Sequence, residues 1–212
     1  MKIYGFSTFN VTKVLFVAEE IGLDYDYVAL NPNQAEQKLP EHLSRHPMGK
    51  VPALEHDGRY LFESAAICRY LARISHSSLY DGDAYEKSVI DAWVDLSAIH
   101  IGRWLGSIAF NEIVLHGMMG QPLNEETIGE ARQFLSEQLP AVEQQLSLNS
   151  FLAGDHLTIA DAILASLVQL HEITSFEIEP WPNIQRWYAS VRGRPAYQRA
   201  LDHFPDGKLF GL

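Results

Sequence analysis

The sequence predicts a two-part fold: a small α+β domain at the N-terminus followed by an all-α domain. Three observations point there. Strand and hairpin signals are confined to residues 1–76. A polar, glycine-containing stretch without periodicity, Ser75 to Asp83 (SHSSLYDGD), comes next. Beyond it only helical periodicity remains. The domains are therefore drawn at 1–76 and 84–212, with 77–83 as the linker.

Lys2 to Gly5 is a short β-prone run, and Ser7 to Thr12 is a polar turn. Val14, Leu15, Val17, Ala18 and Ile21 then recur at helical spacing until Gly22 stops the helix. Tyr25 to Leu30 reads as a second strand, Asn31 to Pro40 as polar loop, and Pro40 to Arg45 as a short helix at most. The stretch His46 to Ser64 (HPMGKVPALEHDGRYLFES) carries two apolar runs joined by His56-Asp57-Gly58-Arg59. Asp-Gly takes the positive φ angles that a hairpin turn requires. Pro52 cannot donate to a ladder, so it belongs at an edge or a strand start. It leaves the backbone of Val51 free to pair with something other than the protein. Glu63-Ser64 closes the hairpin with a hydroxyl residue able to cap a helix from about Ser64 to Ile74, with Ala65, Ile67, Cys68 and Leu71 on one side. The order is β-α-β-loop-β-β-α, a small mixed sheet with helices.

In the helical part, Ala84 to Leu115 forms a long pattern broken at Gly117 to Gln121. Glu125 to Leu148 is a second helix, which Pro140 should kink. At Leu157-Thr158-Ile159-Ala160-Asp161, Thr158 can cap while Asp161 reaches back to the Thr158 N–H. The nearly all-apolar run that follows, Ala162 to Leu170, makes this helix the core of its domain. Pro182 to Val191 and Ala196 to His203 are two further short helices.

With 212 residues the chain can bury a large core, and its 47% apolar and 20% charged content is ordinary for a soluble protein. A net charge of −11 with no basic stripe argues against nucleic acid as a partner. It does not bar an anionic ligand, because screening over about 8 Å lets a local basic pocket act alone. The single cysteine, Cys68, excludes a disulfide framework, a CxxC redox motif and a cysteine-rich zinc site. The N-terminus, MKIYGFST, lacks the apolar run of a signal peptide, and no run approaches the roughly 18 apolar residues of a membrane span. A cytoplasmic protein is expected, with neither membrane nor nucleic acid as a partner. His42 and His46 have i, i+4 spacing, but Pro47 disfavours helix at His46, and no metal site is expected.

Three segments carry a family likeness. HPMGKVPAL followed by LFESAAICRYL resembles the glutathione-binding segment of the cytosolic glutathione S-transferases. FLAGDHLTIADA resembles the capping motif of that family's sixth helix, and STFNVTKV resembles the TPNxxKV-type segment of its nu class. NPFGxVPAL-like spacing is shared with the phi class. The whole chain thus resembles a bacterial-type member with a phi/nu-class-like N-terminal domain. The resemblance implies a thioredoxin-like N-terminal domain, an all-α C-terminal domain and a homodimer. It implies glutathione as co-substrate, no metal, and conjugation of the glutathione thiolate to a small apolar electrophile, as in detoxification.

The same likeness assigns roles. Val51-Pro52 is expected to be cis, with the Val51 N–H and C=O pairing with the ligand's cysteine backbone like an added strand. Glu63 accepts the ligand ammonium, and Ser64, at a helix N-terminus, binds the γ-glutamyl carboxylate. Lys38 and Lys50 meet the glycine carboxylate, and Gln37 falls where phi-class proteins usually carry a histidine. A free thiol titrates at about 8.5, and lowering that by ~2 units is worth ~2.7 kcal/mol. Thr8 falls at the activating hydroxyl position and Asn10 at the nu-class asparagine, with Ser7 and Tyr4 as rivals. For the electrophile, His100, Arg103, Trp104, Ser107, Ile108 and Asn111 form one candidate face.

Plainer readings stand beside these. Glu63-Ser64 can be a strand end and a cap, Lys38 and Lys50 solvated lysines, and Thr8 and Asn10 mere caps of the first helix. Trp104 can be core, and Cys68 an inert buried thiol. The nu-like segment also admits glutathione-dependent disulfide or peroxide reduction without a protein cysteine. A non-catalytic binding protein of the same fold would be marked by loss of Pro52, Glu63-Ser64 or the hydroxyl residue, and all are present.

Overall fold

The hairpin organises a four-stranded sheet. In the computed structural model, which describes residues 1–211, the strands are β1 (Lys2–Gly5), β2 (Asp26–Ala29), β3 (Ala53–His56) and β4 (Arg59–Phe62), in the order β2-β1-β3-β4. β1 and β2 are parallel, and the other two pairs are antiparallel. Asp57 and Gly58 take φ +50° and +72° in the β3–β4 turn, as Asp-Gly requires. Pro52 stands just before β3, a strand flanked on both sides. The proline thus marks a strand start.

Helix α1 (Phe9–Ile21) buries the continuous run Val11 to Ala18, and Gly22 ends it in the left-handed region at φ +74°. After it come α2 (Pro40–Leu43) and α3 (Ser64–Ile74), the latter burying Ile67, Cys68, Leu71 and Ala72. The polar stretch after α3 is only partly a connector. Leu79 and Tyr80 are buried, and the Arg73 guanidinium donates to the Tyr80 hydroxyl at 3.1 Å.

Backbone contacts divide the chain into two units, the first comprising residues 1–81 and 192–211, the second Gly82–Val191. The sequence assigns everything from residue 84 onward to the helical domain, whereas the last segment belongs to the sheet-containing unit. The cause is α9 (Pro195–Asp202), which packs on α1. Tyr197 meets Phe16 with ring centroids 4.9 Å apart, Arg199 Nε donates to Glu19 at 2.7 Å, and Arg194 pairs with Glu20.

The second unit opens with α4 (Ala84–Asp95), α5 (Gly102–Ala109) and α6 (Glu125–Leu148). Leu96–Ile101 and Phe110–Met118, which flank α5, are π-helical, so helix persists to Met118 rather than ending near Leu115. Pro140 lies inside α6, where it forgoes one backbone hydrogen bond without ending the helix. The core is α7 (Ile159–Val168), every residue of which is buried. At its start the Thr158 N–H donates to Asp161 Oδ2 at 2.9 Å, the expected reach-back bond. Helix α8 (Pro182–Arg192) completes the unit, with Trp187 Nε1 donating to Asp161 Oδ1 at 2.9 Å. Among the described residues no helix is long and apolar enough to cross a membrane.

Candidate active site

Strand register gathers the candidate residues of the first unit at one end of the sheet. Tyr4 pairs with Ala53, and Ala53 pairs with Phe62. The residues just past these pairs therefore lie together: the chain leaving β1 toward Thr8, Val51-Pro52 entering β3, and Glu63-Ser64 leaving β4. Segments far apart in sequence meet there because antiparallel pairing brings the exit of one strand beside the entry of the next.

Thr8 is the N-cap of α1. Its Oγ1 accepts from the Val11 N–H at 3.4 Å, which leaves the hydroxyl hydrogen free to donate. The helix supplies a partial positive charge at the same point. Asn10, half-buried in the first turn, accepts from Lys13 Nζ at 2.9 Å through its Oδ1. Of the rivals, Tyr4 is committed elsewhere. Its hydroxyl donates to Glu55 Oε2 at 2.5 Å, and the Arg45 guanidinium covers its ring at 4.0 Å. Burial, and then the bond to Glu55, push the phenol up to about 12, which makes it a poorer proton donor. Ser7 is half-buried, and its carbonyl accepts from the Phe210 N–H at 2.9 Å.

The Val51–Pro52 peptide is cis, and the sheet ladder begins at Ala53, so the Val51 N–H and C=O lie outside it. Just upstream, His42 Nε2 donates to the Lys50 carbonyl at 2.8 Å, holding the segment from within, since His42 is 1% exposed. Lys50 itself is exposed. Lys38 Nζ donates to the Met48 carbonyl at 2.9 Å, and Gln37 Oε1 is buried without a partner. At Gly49 (φ +58°) a Cβ would lie 2.5 Å from the Gln37 carbonyl oxygen. That close approach seats residues 37–38 against the turn carrying Lys50.

Glu63 precedes α3 with φ +69° and ψ +112°, a conformation costing a non-glycine residue about 1–3 kcal/mol. Its exposed carboxylate stands beside the free N–H groups of the first turn of α3, which Ser64 begins. The site therefore pairs one carboxylate, suited to a cation, with one helix N-terminus, suited to an anion.

The candidates of the second unit do not form one face. His100 and Arg103 are exposed and Ser107 is half-buried, but Trp104 stacks on Phe134 with centroids 4.3 Å apart, and Ile108 and Asn111 are buried. The π-helical turns on either side of α5 depart from the 3.6-residue period on which a single stripe depends. Trp104, covered by the Arg103 guanidinium at 4.6 Å, serves the core of its own unit.

Sequence reasoning missed two residues here. His42 gave no usable signal beyond its spacing from His46. Lys13 gave one: it is the single charge within the apolar run Val11 to Ala18, and it is 4% exposed. Cys68 is an inert thiol, which burial pushes up to about 12. Among the described residues no cluster of three or more His, Cys, Asp or Glu could hold a metal ion.

Comparison with known proteins follows the same division. A four-stranded mixed sheet whose strand ends converge on two helix N-termini, joined to a helical unit, defines a thioredoxin-like domain with an all-α partner. Residues 1–73 match the glutathione S-transferase N-terminal domain, and residues 108–195 match the C-terminal domain of the same proteins. Glutathione S-transferase 1 of Zea mays is 34% identical over 203 residues, covering 94% of each chain, and a probable glutathione S-transferase of Oryza sativa subsp. japonica is 33% identical over the same span. The solved structure of glutathione S-transferase I from maize, in complex with an atrazine glutathione conjugate, aligns with a TM-score of 0.86 at 33% identity, covering 94% of this chain and 95% of that one. A theta class enzyme of Xanthomonas axonopodis pv. citri with glutathione bound aligns at 0.85 with 28% identity, covering 94% and 95%. The chain belongs to the glutathione S-transferase family.

Proposed function

We propose that the protein is a glutathione transferase that conjugates the thiolate of glutathione to a small apolar electrophile. The observation that carries this is the convergence, at one sheet end, of a free strand backbone (Val51), a carboxylate beside a helix N-terminus (Glu63-Ser64) and a hydroxyl on a second helix N-terminus (Thr8). Glutathione offers the complement of each. Its cysteine backbone pairs with Val51, its ammonium meets Glu63, its γ-glutamyl carboxylate meets the N–H groups at Ser64, and its thiol meets Thr8. Lys50, exposed next to Val51, is with Lys38 and Gln37 the candidate for the glycine carboxylate. The maize relative with its atrazine glutathione conjugate supports conjugation as the reaction.

The chemistry follows from the thiol. A hydroxyl donor and a helix N-terminus favour the thiolate, so the thiol proton passes to solvent when glutathione binds. The thiolate sulfur then forms a bond to an electrophilic carbon. With an aryl halide the carbon–halogen bond breaks and halide leaves. Asn10, with its amide NH₂ free to donate, shares the sulfur with Thr8. His100, Arg103 and Ser107 remain the candidates for the electrophile.

Two finer readings accompany this. Met48, Tyr60 and Phe62, 60%, 46% and 41% exposed on the first unit, support a homodimer that covers them. A lone cysteine, buried and unpaired, supports a cytoplasmic protein. Light scattering tests the dimer.

The deciding experiment measures glutathione-dependent turnover of chlorodinitrobenzene and of an organic hydroperoxide by the parent, Thr8→Ser and Thr8→Ala. Thr8→Ser should stay within about threefold of the parent, and Thr8→Ala should lose roughly 100-fold in kcat on the scale of one oxyanion-type donor. Turnover of the peroxide alone would move the assignment to reduction. An unchanged Thr8→Ala would move the sulfur contact to Asn10 or Ser7.

A further inference from the structure

The charges on α1 divide into two kinds. Glu19 and Glu20, at its far end, are matched by Arg199 and Arg194 of α9. Lys13 has no such match. Its ammonium is buried, with Asn10 Oδ1 at 2.9 Å and the Phe9 ring centroid at 5.5 Å. From α3, Cys68 Sγ donates to the Lys13 carbonyl at 3.6 Å, but that thiol is neutral because burial suppresses its ionisation. The carboxylate that acts on the ammonium is Glu63, at the start of α3 and beyond ion-pair distance. A buried ammonium beside one neutral acceptor, a neutral thiol and a more distant carboxylate is under-compensated.

We propose that Lys13 is the positioning residue of thiolate formation: its buried ammonium fixes the Asn10 amide and is the positive charge that the bound thiolate balances. The inference rests on the glutathione reading and adds to it the source of the positive field. Lysine has only donors, so the Asn10 amide must turn its oxygen to Lys13, which leaves its NH₂ to donate elsewhere. Ligand binding then exchanges partners. The incoming ammonium occupies Glu63, and the thiolate replaces Glu63 as the anion nearest Lys13. Losing a proton from the thiol restores the balance that binding disturbed. Burial lowers Lys13 to about 8, so in the free protein this charge begins to fade just above neutrality.

The test compares the parent, Lys13→Met, Lys13→Arg and Asn10→Ala. Calorimetry gives affinity for S-methylglutathione, ultraviolet difference spectra give the pH midpoint of thiolate formation on bound glutathione, and kcat/KM for chlorodinitrobenzene is followed against pH. Lys13→Met should bind S-methylglutathione within about threefold of the parent while its thiolate midpoint rises by about one pH unit, with kcat near pH 6.5 down roughly tenfold. Lys13→Arg, charged at every pH, should keep the parent midpoint and abolish the fall in kcat/KM above about pH 8. Asn10→Ala should raise the midpoint as Lys13→Met does, and the double variant should raise it no further. This variant answers the question if Lys13→Met does not fold. An unchanged midpoint in Lys13→Met or Asn10→Ala, or equal losses of affinity for glutathione and S-methylglutathione, overturns the inference alone. A folded parent that binds neither ligand overturns the glutathione reading and the inference with it.

Discussion

Lys13 is where function and stability oppose each other. An ammonium in the unfolded chain titrates near 10.5, whereas burial lowers it to about 8 in the folded protein. Between these values the unfolded state binds more protons, so stability rises with pH across that window. At neutral pH the buried charge therefore costs about 3 kcal/mol on the 1.36 kcal/mol-per-unit scale. Lys13→Met should unfold at a higher temperature than the parent at pH 7, and the gap should close as pH rises from 8 to about 10.5. Thermal melts across that range check it. A Lys13→Met variant that is more stable yet forms less thiolate would assign this lysine to chemistry rather than to the fold. At this scale the sequence was uneven in what it disclosed. Val51, Glu63, Ser64 and Thr8 are named from the likeness of their segments to the family, whereas spacing alone gives only a strand start, a strand exit and two helix entries. The bond from Lys13 to Asn10 spans three residues of one helix and lies open to spacing, whereas the burial of the ammonium leaves no trace there. For Trp104, helical spacing located its turn but not the ring of Phe134 on which it stacks.

Among the elements, α7 shows how one side chain can hold several segments. Asp161 accepts from the Thr158 N–H and hydroxyl, from the Leu152 N–H and from Trp187 Nε1, and it is fully buried. Asp161→Ala leaves four buried donors without their acceptor, a loss of about 3 kcal/mol or more when each orphaned donor costs about 1. Urea unfolding followed by circular dichroism should show a markedly lower midpoint for Asp161→Ala and an intermediate one for Asp161→Asn, which keeps one oxygen. A parent-like midpoint in the alanine variant would contradict this account. Half of that network was legible, since Thr158 and Asp161 are three residues apart. The bonds to Leu152 and Trp187 cross elements and leave no periodic trace. The same distinction governs the helices. α3 and α6 match the bounds read from hydrophobic spacing and capping residues, whereas the π-helical turns beside α5 widen the helix through packing that spacing does not record.

At the scale of the whole chain, α9 joins a distant segment to the first unit. Arg194, Tyr197 and Arg199 of α9 clasp Glu20, Phe16 and Glu19 of α1, and the Phe210 N–H donates to the Ser7 carbonyl beside Thr8. Burial works against the Glu19 charge, but bonds from Arg199, Tyr25 and His203 outweigh it and hold the carboxyl below its usual range. A chain ending at residue 191 should expose the apolar flank of α1. Limited proteolysis should then cut within residues 1–81 while leaving 82–191 resistant, and equal resistance of the two chains would refute the clasp. Hydrophobic pattern gave no warning of it, because Ala196 to His203 reads as one more amphipathic helix with nothing to say which unit it covers.

That clasp also orders events during synthesis. Glu19 and Arg199 are 180 residues apart, so at about 5–20 residues per second the ribosome makes the arginine roughly 10 to 40 s after the glutamate. The helical unit, contiguous in sequence, can mature while translation continues. The sheet-bearing unit, although its strands are made earlier, waits for α9 to leave the exit tunnel. A nascent chain stalled before α9 therefore carries a finished second unit and an unfinished first one.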